Sequence, residues 1–247
     1  MSSGPAVSAS VRPRRVVTDR RGGRSASPYD SFNLGAHVGD DPAAVAGNRE
    51  RLAGELGVPT TQLVWMTQVH GTGVAIVSDA GENPVADVDA LVTATPGLVL
   101  CVLAADCVPV LLADPVAGVV AAVHAGREGV RRGVVPAALA AMTRLGARPG
   151  DVEALLGPAV CGLDYEVPAP MQAEVARVAP AAAVRTRTGT PGLDLRAGIA
   201  EVLRGAGVRQ VVHDPRCTVE DPRLFSHRRD GVTGRQAGVV WLSAERS

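Results

Sequence analysis

Cys107, His70 and His124 are the side chains of this sequence that could most readily do chemistry together. Cys107 stands between two runs of Val, Leu and Ala, residues 99–104 and 108–114, and His124 comes near the end of a third run that begins at residue 119. Such runs are typical of buried strands, and His70 follows a further predicted strand at 63–66. All three residues therefore lie where a strand gives way to a turn, a common location for catalytic groups.

One thiolate and two imidazoles can hold a zinc ion tetrahedrally and leave its fourth position open to water, which is the composition of a catalytic zinc site. Bound zinc would lower the pKa of that water to roughly 7 and create a nucleophile near neutral pH. The three residues match no short metal motif, so a buried thiol with two loop histidines explains the pattern about equally well. A third interpretation needs no metal and makes Cys107 a nucleophile that a histidine activates for acyl or amide hydrolysis.

Other polar residues could assist this group. Asp106 adjoins the thiol but can help only if the backbone turns there, because neighbouring side chains on a strand point to opposite faces; otherwise it is a local cap or ion-pair partner. Arg127, Arg228 and Arg229 could bind an anion such as phosphate, although solvated surface charges explain them about as well. The amide of Asn33 could recognise a base or a sugar, or it could stabilise its own turn.

The composition of the chain narrows the class of protein. The 247 residues are 46% hydrophobic but only 2% aromatic, so Val, Leu and Ala must fill a sizeable core. The 25 basic residues are all arginine and are balanced by 25 acidic residues. A net charge of zero argues against binding to nucleic acid or to an acidic membrane, because such proteins usually carry a basic surplus.

Compartment and redox state are also indicated by the sequence. No segment approaches the length of a membrane span, and residues 1–10 lack the apolar core of an export signal. We therefore expect a cytoplasmic protein. Its four cysteines form no C-x-x-C pair, and a reducing compartment makes disulfides unexpected.

Strands and helices must position the candidate residues. The spacing predicts a helix over 42–56, capped by Asp41 and ended by Gly57. Further helices are predicted within 126–145, over 168–178 and after Asp194, and residues 185–192 and 226–231 are predicted as a loop and a turn. Strands are predicted at 16–17, 63–66, 74–77, 87–93, 99–104, 108–114, 119–124, 152–156, 211–212 and 237–242. The simplest interpretation is one α/β domain over residues 11–247 that follows a disordered N-terminus at 1–10.

The candidate residues other than Arg127 belong to an ordered series of short motifs that runs from about Arg15 to Leu242. In this order the motifs resemble the family once called multicopper polyphenol oxidase or laccase-domain (YfiH-like) proteins, now treated as purine nucleoside phosphorylases with adenosine deaminase activity. The motifs are Gly22-Gly23, Asn33-Leu34-Gly35, Asn48-Arg49-Glu50-Arg51-Leu52, Thr67-Gln68-Val69-His70-Gly71, Asp87-Val88-Asp89-Ala90, Ala105-Asp106-Cys107-Val108-Pro109-Val110, His124-Ala125-Gly126, Gly157-Pro158-Ala159 and Ser226-His227-Arg228-Arg229-Asp230.

The resemblance implies a fold, a metal and a reaction. The fold would be a monomeric, single-domain layered α/β (α+β) sandwich of mixed sheets flanked by helices, with zinc held by His70, Cys107 and His124. The reactions would be phosphorolysis of adenosine, inosine and methylthioadenosine to base and ribose 1-phosphate, and deamination of adenosine, so the expected partners are small-molecule nucleosides and phosphate. Copper is the alternative metal, and polyphenol oxidation and editing of peptidoglycan precursors are the alternative activities. Three protein ligands cannot house the several coppers of a multicopper oxidase.

One motif departs from the family. The usual turn His-Ala-Gly-Trp-Arg-Gly reads His124-Ala125-Gly126-Arg127-Glu128-Gly129 here. If the missing arginine binds phosphate, Arg127 must take its place, or phosphorolysis weakens relative to deamination. In our hypothesis for deamination, water activated by the zinc attacks C6 of the purine while Asp106 moves protons. In phosphorolysis, phosphate attacks C1′ of the ribose while the arginines stabilise its charge.

Overall fold

Two β-sheets lie face to face at the centre of the fold, and helices cover their outer faces. The computed structural model describes residues 11–81 and 84–244, so the disorder predicted for residues 1–10 lies outside the described residues. The strands are β1 (Val11–Val17), β2 (Leu63–Val64), β3 (Val74–Ile76), β4 (Ala90–Thr93), β5 (Val99–Ala104), β6 (Val108–Asp114), β7 (Val119–Ala125), β8 (Glu153–Leu156), β9 (Ala183–Arg185), β10 (Pro191–Leu193), β11 (Gln210–His213) and β12 (Gln236–Ala244).

The helices begin and end at the residues that their capping chemistry favours. Asp41 caps the first helix by accepting a hydrogen bond from the amide of Ala43, and Gly57 ends it with a φ of +71°, as predicted. Gly133, with a φ of +89°, separates two helices where one was expected to open. The helices are α1 (Pro42–Leu56), α2 (Arg127–Arg132), α3 (Val134–Arg144), α4 (Ala169–Ala176), α5 (Leu195–Gly205) and α6 (His227–Asp230).

Both large sheets are mixed, which confirms the predicted class. The four-stranded sheet has the order β1-β12-β5-β2, and the six-stranded sheet has the order β11-β8-β6-β7-β4-β3. In the smaller sheet β12 is antiparallel to both of its neighbours, whereas β2 runs parallel to β5. In the larger sheet β6 and β7 are antiparallel, and β3 runs parallel to β4. The strands β9 and β10 form a separate hairpin.

The side chains of β6 join two of the three apolar clusters. Leu111 belongs to the cluster between the sheets, with Leu100 of β5, whereas Leu112 belongs to the cluster under the helices, with Met142 of α3. A third cluster lies between α1, through Leu52, and the outer face of the smaller sheet. The layers therefore run α, β, β, α, and strands buried on both faces account for the continuous apolar runs in the sequence.

Three of the short elements differ from the sequence predictions. The strand predicted at 87–93 begins only at Ala90, because Asp87 has a φ of +51° and interrupts the extended backbone. Residues 185–192, predicted as a loop, supply most of the β9–β10 hairpin, in which Arg185 lies opposite Pro191. The turn predicted at 226–231 contains α6, because the hydroxyl of Ser226 accepts a hydrogen bond from the amide of Arg229 and caps a helical turn.

Two global properties of the chain bear on its function. All four cysteines carry free thiols. Within the described part of the chain, no helix combines the length and the apolar character that crossing a membrane would require.

Candidate metal centre and cavity

His70, Cys107 and His124 converge from three separate parts of the chain. Their ligand atoms all lie within 4.8 Å of one another, and Cys107 Sγ is 3.9 Å from His70 Nε2. The two imidazole rings meet edge to face, with centroids 4.7 Å apart and an angle of 79° between the ring planes. The arrangement can hold one metal ion, as the residue types suggested.

The backbone turns sharply beside two of these ligands. Asp106 has a φ of +97° and His70 a φ of +58°, values in the left-handed region that residues other than glycine rarely adopt. The turn at Asp106 separates β5 from β6 and lets Cys107 face the same cavity as His124, which pairs with Pro109 across β6 and β7. Strained backbone positions of this kind cluster at functional sites.

A buried aspartate that the sequence analysis did not single out positions both histidines. Asp89 is fully buried and accepts a hydrogen bond from His124 Nδ1 at 2.8 Å. Its carboxylate also accepts from the amides of Val69, His70 and Gly71 at 3.2, 3.0 and 2.6 Å. The hydrogen bond to Nδ1 leaves Nε2 of His124 to face the other ligands. The sequence signal for this role was an acidic residue directly before the apolar run of β4, where the structure buries it.

Two further residues without an assigned role shape the metal centre. Gln68 exchanges two hydrogen bonds with the backbone of Leu103, at 2.9 and 2.8 Å, and so fixes the His70 loop against the end of β5. Gly126 leaves space for the ligands, since a Cβ atom there would lie 2.9 Å from Cys107 Sγ and 3.0 Å from His70 Cδ2. A side chain at this position would push the ligands apart.

Cys107 and His124 form an acid–base pair. Burial would raise the pKa of the Cys107 thiol, but the charge of His124 and hydrogen bonds from both histidines lower it to about 6. Burial would lower the pKa of His124, but the Cys107 thiolate and Asp89 raise it to about 9. At neutral pH the free pair is therefore a thiolate and an imidazolium, and a metal ion would have to displace the imidazolium proton.

The three ligands face a cavity of about 380 Å³, within the range of roughly 300–1,000 Å³ that is usual for small-molecule sites. Its wall includes apolar side chains such as Leu103 and Val160, and three arginines, Arg127, Arg228 and Arg235. Among the described residues that line it, Asp106 is the only acidic one. The cavity is therefore suited to a ligand that combines an apolar or aromatic part with negative charge.

Asp106 is held by three hydrogen-bond donors. The hydroxyls of Thr218 and Ser226 donate to Oδ1 at 2.6 and 2.7 Å, and the amide of Arg228 donates to Oδ2 at 2.6 Å. The carboxylate thereby ties the bend before Cys107 to the start of α6, which carries Arg228 to the cavity wall. This geometry gives Asp106 a positioning part, and its role in proton transfer stays a prediction.

Asn33 lies outside the cavity. It is fully buried, its Oδ1 accepts from the amides of Gly35 and Arg235 at 2.9 and 2.8 Å, and its Nδ2 donates to Asp40 at 2.8 Å. The side chain thus stabilises its own turn, which was the alternative to substrate recognition. It also fixes the backbone of Arg235, a cavity residue that the sequence analysis missed.

Arg229 also faces away from the cavity, unlike its neighbour Arg228. Its guanidinium donates to the carbonyl oxygens of Thr218 and Leu224, each at 2.8 Å, and pairs with Asp230 at 2.7 Å. Through these hydrogen bonds Arg229 holds the loop before α6. Arg229 therefore supports the cavity wall from behind.

Glu128, the departure from the family's turn, is a counter-ion for its neighbours. Its carboxylate lies 2.5 Å from Arg127 Nη1 and 2.9 Å from Arg131 Nη2. Arg127 lines the cavity, whereas Glu128 does not. A cationic position is therefore retained at the cavity wall, but its charge is partly neutralised.

Residues 14–243 match the family described as multi-copper polyphenol oxidoreductase laccase. The chain belongs to this family. A relative from Mycobacterium tuberculosis, named purine nucleoside phosphorylase, is 58% identical over 242 residues, which are 98% of this chain and 97% of the relative. A second protein of that name, from Streptomyces coelicolor, is 58% identical over 226 residues, 91% of this chain and 93% of the relative.

Solved structures of similar proteins agree with the fold. YlmD from Geobacillus stearothermophilus superposes with a TM-score of 0.88 at 34% sequence identity, over 94% of this chain and 92% of YlmD. A Neisseria meningitidis protein superposes with a TM-score of 0.84 at 37% identity, over 94% of both chains. The layered arrangement is therefore that of the family.

The ligand set fits a bound metal ion, which the family's description also implies. The oriented Nε2 of His124, the low pKa of the Cys107 thiol and the open space at Gly126 are all features of a site prepared for an ion. With three protein ligands, a tetrahedral ion held here would have one position left for a ligand from the cavity.

Proposed function

We propose that this protein is a metal-dependent purine nucleoside phosphorylase that cleaves adenosine, inosine and methylthioadenosine with phosphate and also deaminates adenosine to inosine. The names of the relatives support the reaction class. The observation that carries the proposal is the convergence of the His, Cys, His group and three arginines on one cavity with apolar walls. A nucleoside with phosphate combines the aromatic part and the negative charge that such a cavity accepts.

Zinc is the metal that we propose for His70, Cys107 and His124, because it accepts both thiolate and imidazole ligands. When bound, it would supply Lewis acidity and activate a water for deamination. The protein's own contribution is to hold the three ligand side chains in position. Asp89 sets the tautomer of His124 and the path of the His70 loop through its four hydrogen bonds.

In phosphorolysis an oxygen of phosphate bonds to C1′ as the bond from C1′ to the base breaks, and the base leaves with the electron pair and is protonated. Arg127, Arg228 and Arg235 would hold the phosphate and stabilise its charge. His37 also lines the cavity, and burial and the nearby Arg235 lower its pKa, so it is neutral at neutral pH. A neutral imidazole can form a hydrogen bond with the base or the sugar.

Asp106 acts in this scheme through Arg228. Because three donors occupy its carboxylate, it fixes the start of α6 and with it the position of the guanidinium. Arg228 is further held over the ring of Tyr165, with Cζ 5.1 Å from the ring centroid. Asp106 and Tyr165 thus hold Arg228 in place before phosphate binds, which lowers the cost of ordering its side chain on binding.

Copper-dependent phenol oxidation, which the family's description suggests, is less well supported by the ligand sets. Among the described residues, only one of the two groups that could hold a metal contains histidine. Imidazole is a preferred protein ligand of copper(II), and a multicopper enzyme needs several such sites.

The test is to incubate the zinc-loaded protein with inosine, with and without phosphate, and to measure hypoxanthine and ribose 1-phosphate by chromatography. Adenosine in parallel reports deamination. We expect phosphate-dependent release of hypoxanthine that is lost in Cys107→Ser, which removes the thiolate ligand at nearly constant size. Cys101→Ser is the matched control, because Cys101 is a buried thiol in the cluster beneath α1 and does not line the cavity.

The proposal fails if none of the three nucleosides releases its base in the presence of zinc and phosphate. Cleavage of a peptidoglycan precursor by the same preparation, with purines inert, would point to an editing hydrolase instead. Loss of activity in both cysteine variants would show only that serine is not tolerated in the core. Folding is therefore checked by thermal unfolding before the variants are compared.

A further inference from the structure

A second group of metal-ligating side chains lies outside the cavity. Cys161, Asp164, Cys217 and Glu220 each present one ligand atom within 4.8 Å of the others, and none of them lines the cavity. Cys161 follows β8 and Cys217 follows β11, and an isolated parallel bridge between Ala159 and Cys217 brings the two segments together. The fold therefore assembles two thiols and two carboxylates from separate parts of the sequence.

The ligand atoms lie close enough together to share one ion. Asp164 Oδ2 is 3.1 Å from Cys161 Sγ and 3.3 Å from Cys217 Sγ. Around a zinc ion with bonds of about 2.3 Å to sulfur and about 2.0–2.2 Å to oxygen, a tetrahedral sulfur–oxygen edge is roughly 3.5 Å long. Small movements of the side chains would bring the ligands to these distances.

The surroundings supply hydrogen-bond and charge partners for the ligands. The amide of Cys161 donates to Cys217 Sγ at 3.2 Å, a hydrogen bond that stabilises a metal-bound thiolate. Arg187 donates to Asp164 Oδ1 at 3.0 Å and also pairs with Glu220, so a cation already lies beside both carboxylates. These partners are the supporting groups that usually surround a built metal site.

The sulfur atoms and a carboxylate already contact one another. Cys161 Sγ and Cys217 Sγ both form hydrogen bonds with Asp164 Oδ2. A divalent ion binds cysteine as thiolate, so an ion bound here would replace these contacts, with Arg187 remaining beside the carboxylates.

We propose that Cys161, Asp164, Cys217 and Glu220 form a second, structural site for a thiophilic divalent ion of the zinc class. Four protein ligands close the coordination sphere, as in structural zinc sites, and two thiolates select against magnesium and calcium. The ion would also stabilise the cavity wall, because Thr218, next to the ligand Cys217, donates to the cavity residue Asp106 at 2.6 Å.

Cobalt(II) is the probe, because its visible spectrum reports tetrahedral geometry and thiolate ligation. The metal-free protein is titrated anaerobically in a non-thiol reductant, in the Cys107→Ser background, which disables the first metal centre. We expect one tightly bound cobalt with thiolate charge-transfer absorption. Adding Cys161→Ser, which retains a hydroxyl donor toward Asp164, should abolish that absorption.

Glu220→Gln keeps the test independent of the buried thiols, since Glu220 is exposed. We expect it to weaken cobalt binding at least tenfold. Glu55→Gln is the matched control, because Glu55 is also exposed and also pairs with an arginine, Arg51. It should leave cobalt binding unchanged.

The inference is overturned if the Cys107→Ser protein binds no cobalt, or if its cobalt spectrum survives Cys161→Ser. It is also overturned if mass spectrometry shows a Cys161–Cys217 disulfide in the protein purified without reductant, and the protein still binds no cobalt after that disulfide has been reduced. None of these results depends on whether nucleosides are substrates.

Discussion

Replacing Asp89 with asparagine should weaken both the fold and the metal centre, because one carboxylate serves four donors. Oδ1 accepts from His70 N and His124 Nδ1, and Oδ2 accepts from Val69 N and Gly71 N. An asparagine amide that keeps the first pair of hydrogen bonds turns its NH₂ group toward two amide donors. The buried Gly71 amide then loses its acceptor, at a cost of about 1–3 kcal/mol, whereas the Val69 amide is only partly buried, so we expect the free energy of unfolding to fall by about 1–3 kcal/mol.

The opposite orientation of the amide disfavours metal binding instead. An NH₂ group facing His124 would favour the tautomer that carries its proton on Nε2, the nitrogen needed by the ion. Removal of such a supporting carboxylate typically lowers metal affinity by about 10- to 100-fold. We expect a loss of this size for zinc, measured by competition with a chromophoric chelator.

The measured zinc affinity should depend on pH. The pKa of His124 is raised to about 9, so its proton competes with zinc at neutral pH and the competition disappears as the pH rises through 9. Because Cys107 is already a thiolate above about pH 6, the apparent affinity of the unmodified protein should rise about tenfold per pH unit between these values. Asp89→Asn lowers the pKa of His124, so its affinity should level off at a lower pH, and the two proteins are compared on their plateaus.

Asp114→Asn is the matched control. Asp114 is also fully buried and accepts from three backbone amides, those of Val116, Ala117 and Arg148, but at the far end of β6. It should lose comparable stability and keep the zinc affinity of the unmodified protein. Unchanged zinc affinity in Asp89→Asn on the plateau, or an equal loss in Asp114→Asn, would refute the reasoning.

Three further outcomes follow from the same geometry. Gly126→Ala should lower zinc affinity at least tenfold with little change in circular dichroism, because its Cβ would lie 2.9 Å from Cys107 Sγ. Unchanged zinc affinity would show that the ligands do not need the space at Gly126. In the metal-free protein, alkylation of Cys107 by iodoacetamide should be fast above about pH 6 and slow as the pH falls through it, and zinc should protect the thiol. Glu128→Gln should lower the KM for phosphate by about two- to fivefold, because the ion pair that partly neutralises Arg127, worth up to about 1 kcal/mol, is lost. An unchanged KM would show that Arg127 does not bind phosphate.

Much of the framework could be predicted because the local signals agree with the global fold. The pairing of Asp41 and Gly57 defined α1, and the long apolar runs defined β5, β6 and β7, whose burial on both faces leaves no polar alternation. Hairpin strands of three residues carry too few side chains to show a period, which is why residues 185–192 were predicted as a loop.

The candidate site was predicted in its ligands but not in its supports. Types and motifs pointed to His70, Cys107 and His124, whereas the contributions of Asp89 and Gln68 depend on hydrogen bonds between segments distant in the sequence. Arg229 illustrates the opposite difficulty. A basic side chain in a turn has the same appearance in the sequence whether it faces a ligand or, as here, its own backbone carbonyls.

The position of β12 between β1 and β5 has a consequence for biosynthesis. Residues 236–244 supply the hydrogen-bonding partner of the earliest described strand and of the strand that leads into Asp106 and Cys107. A nascent chain that has already emerged through His124 therefore contains all three ligands but lacks the strand that completes their scaffold. The candidate site can be completed only after the ribosome has translated β12, and products of premature termination carry the thiol and the imidazoles without the strand that pairs with β5.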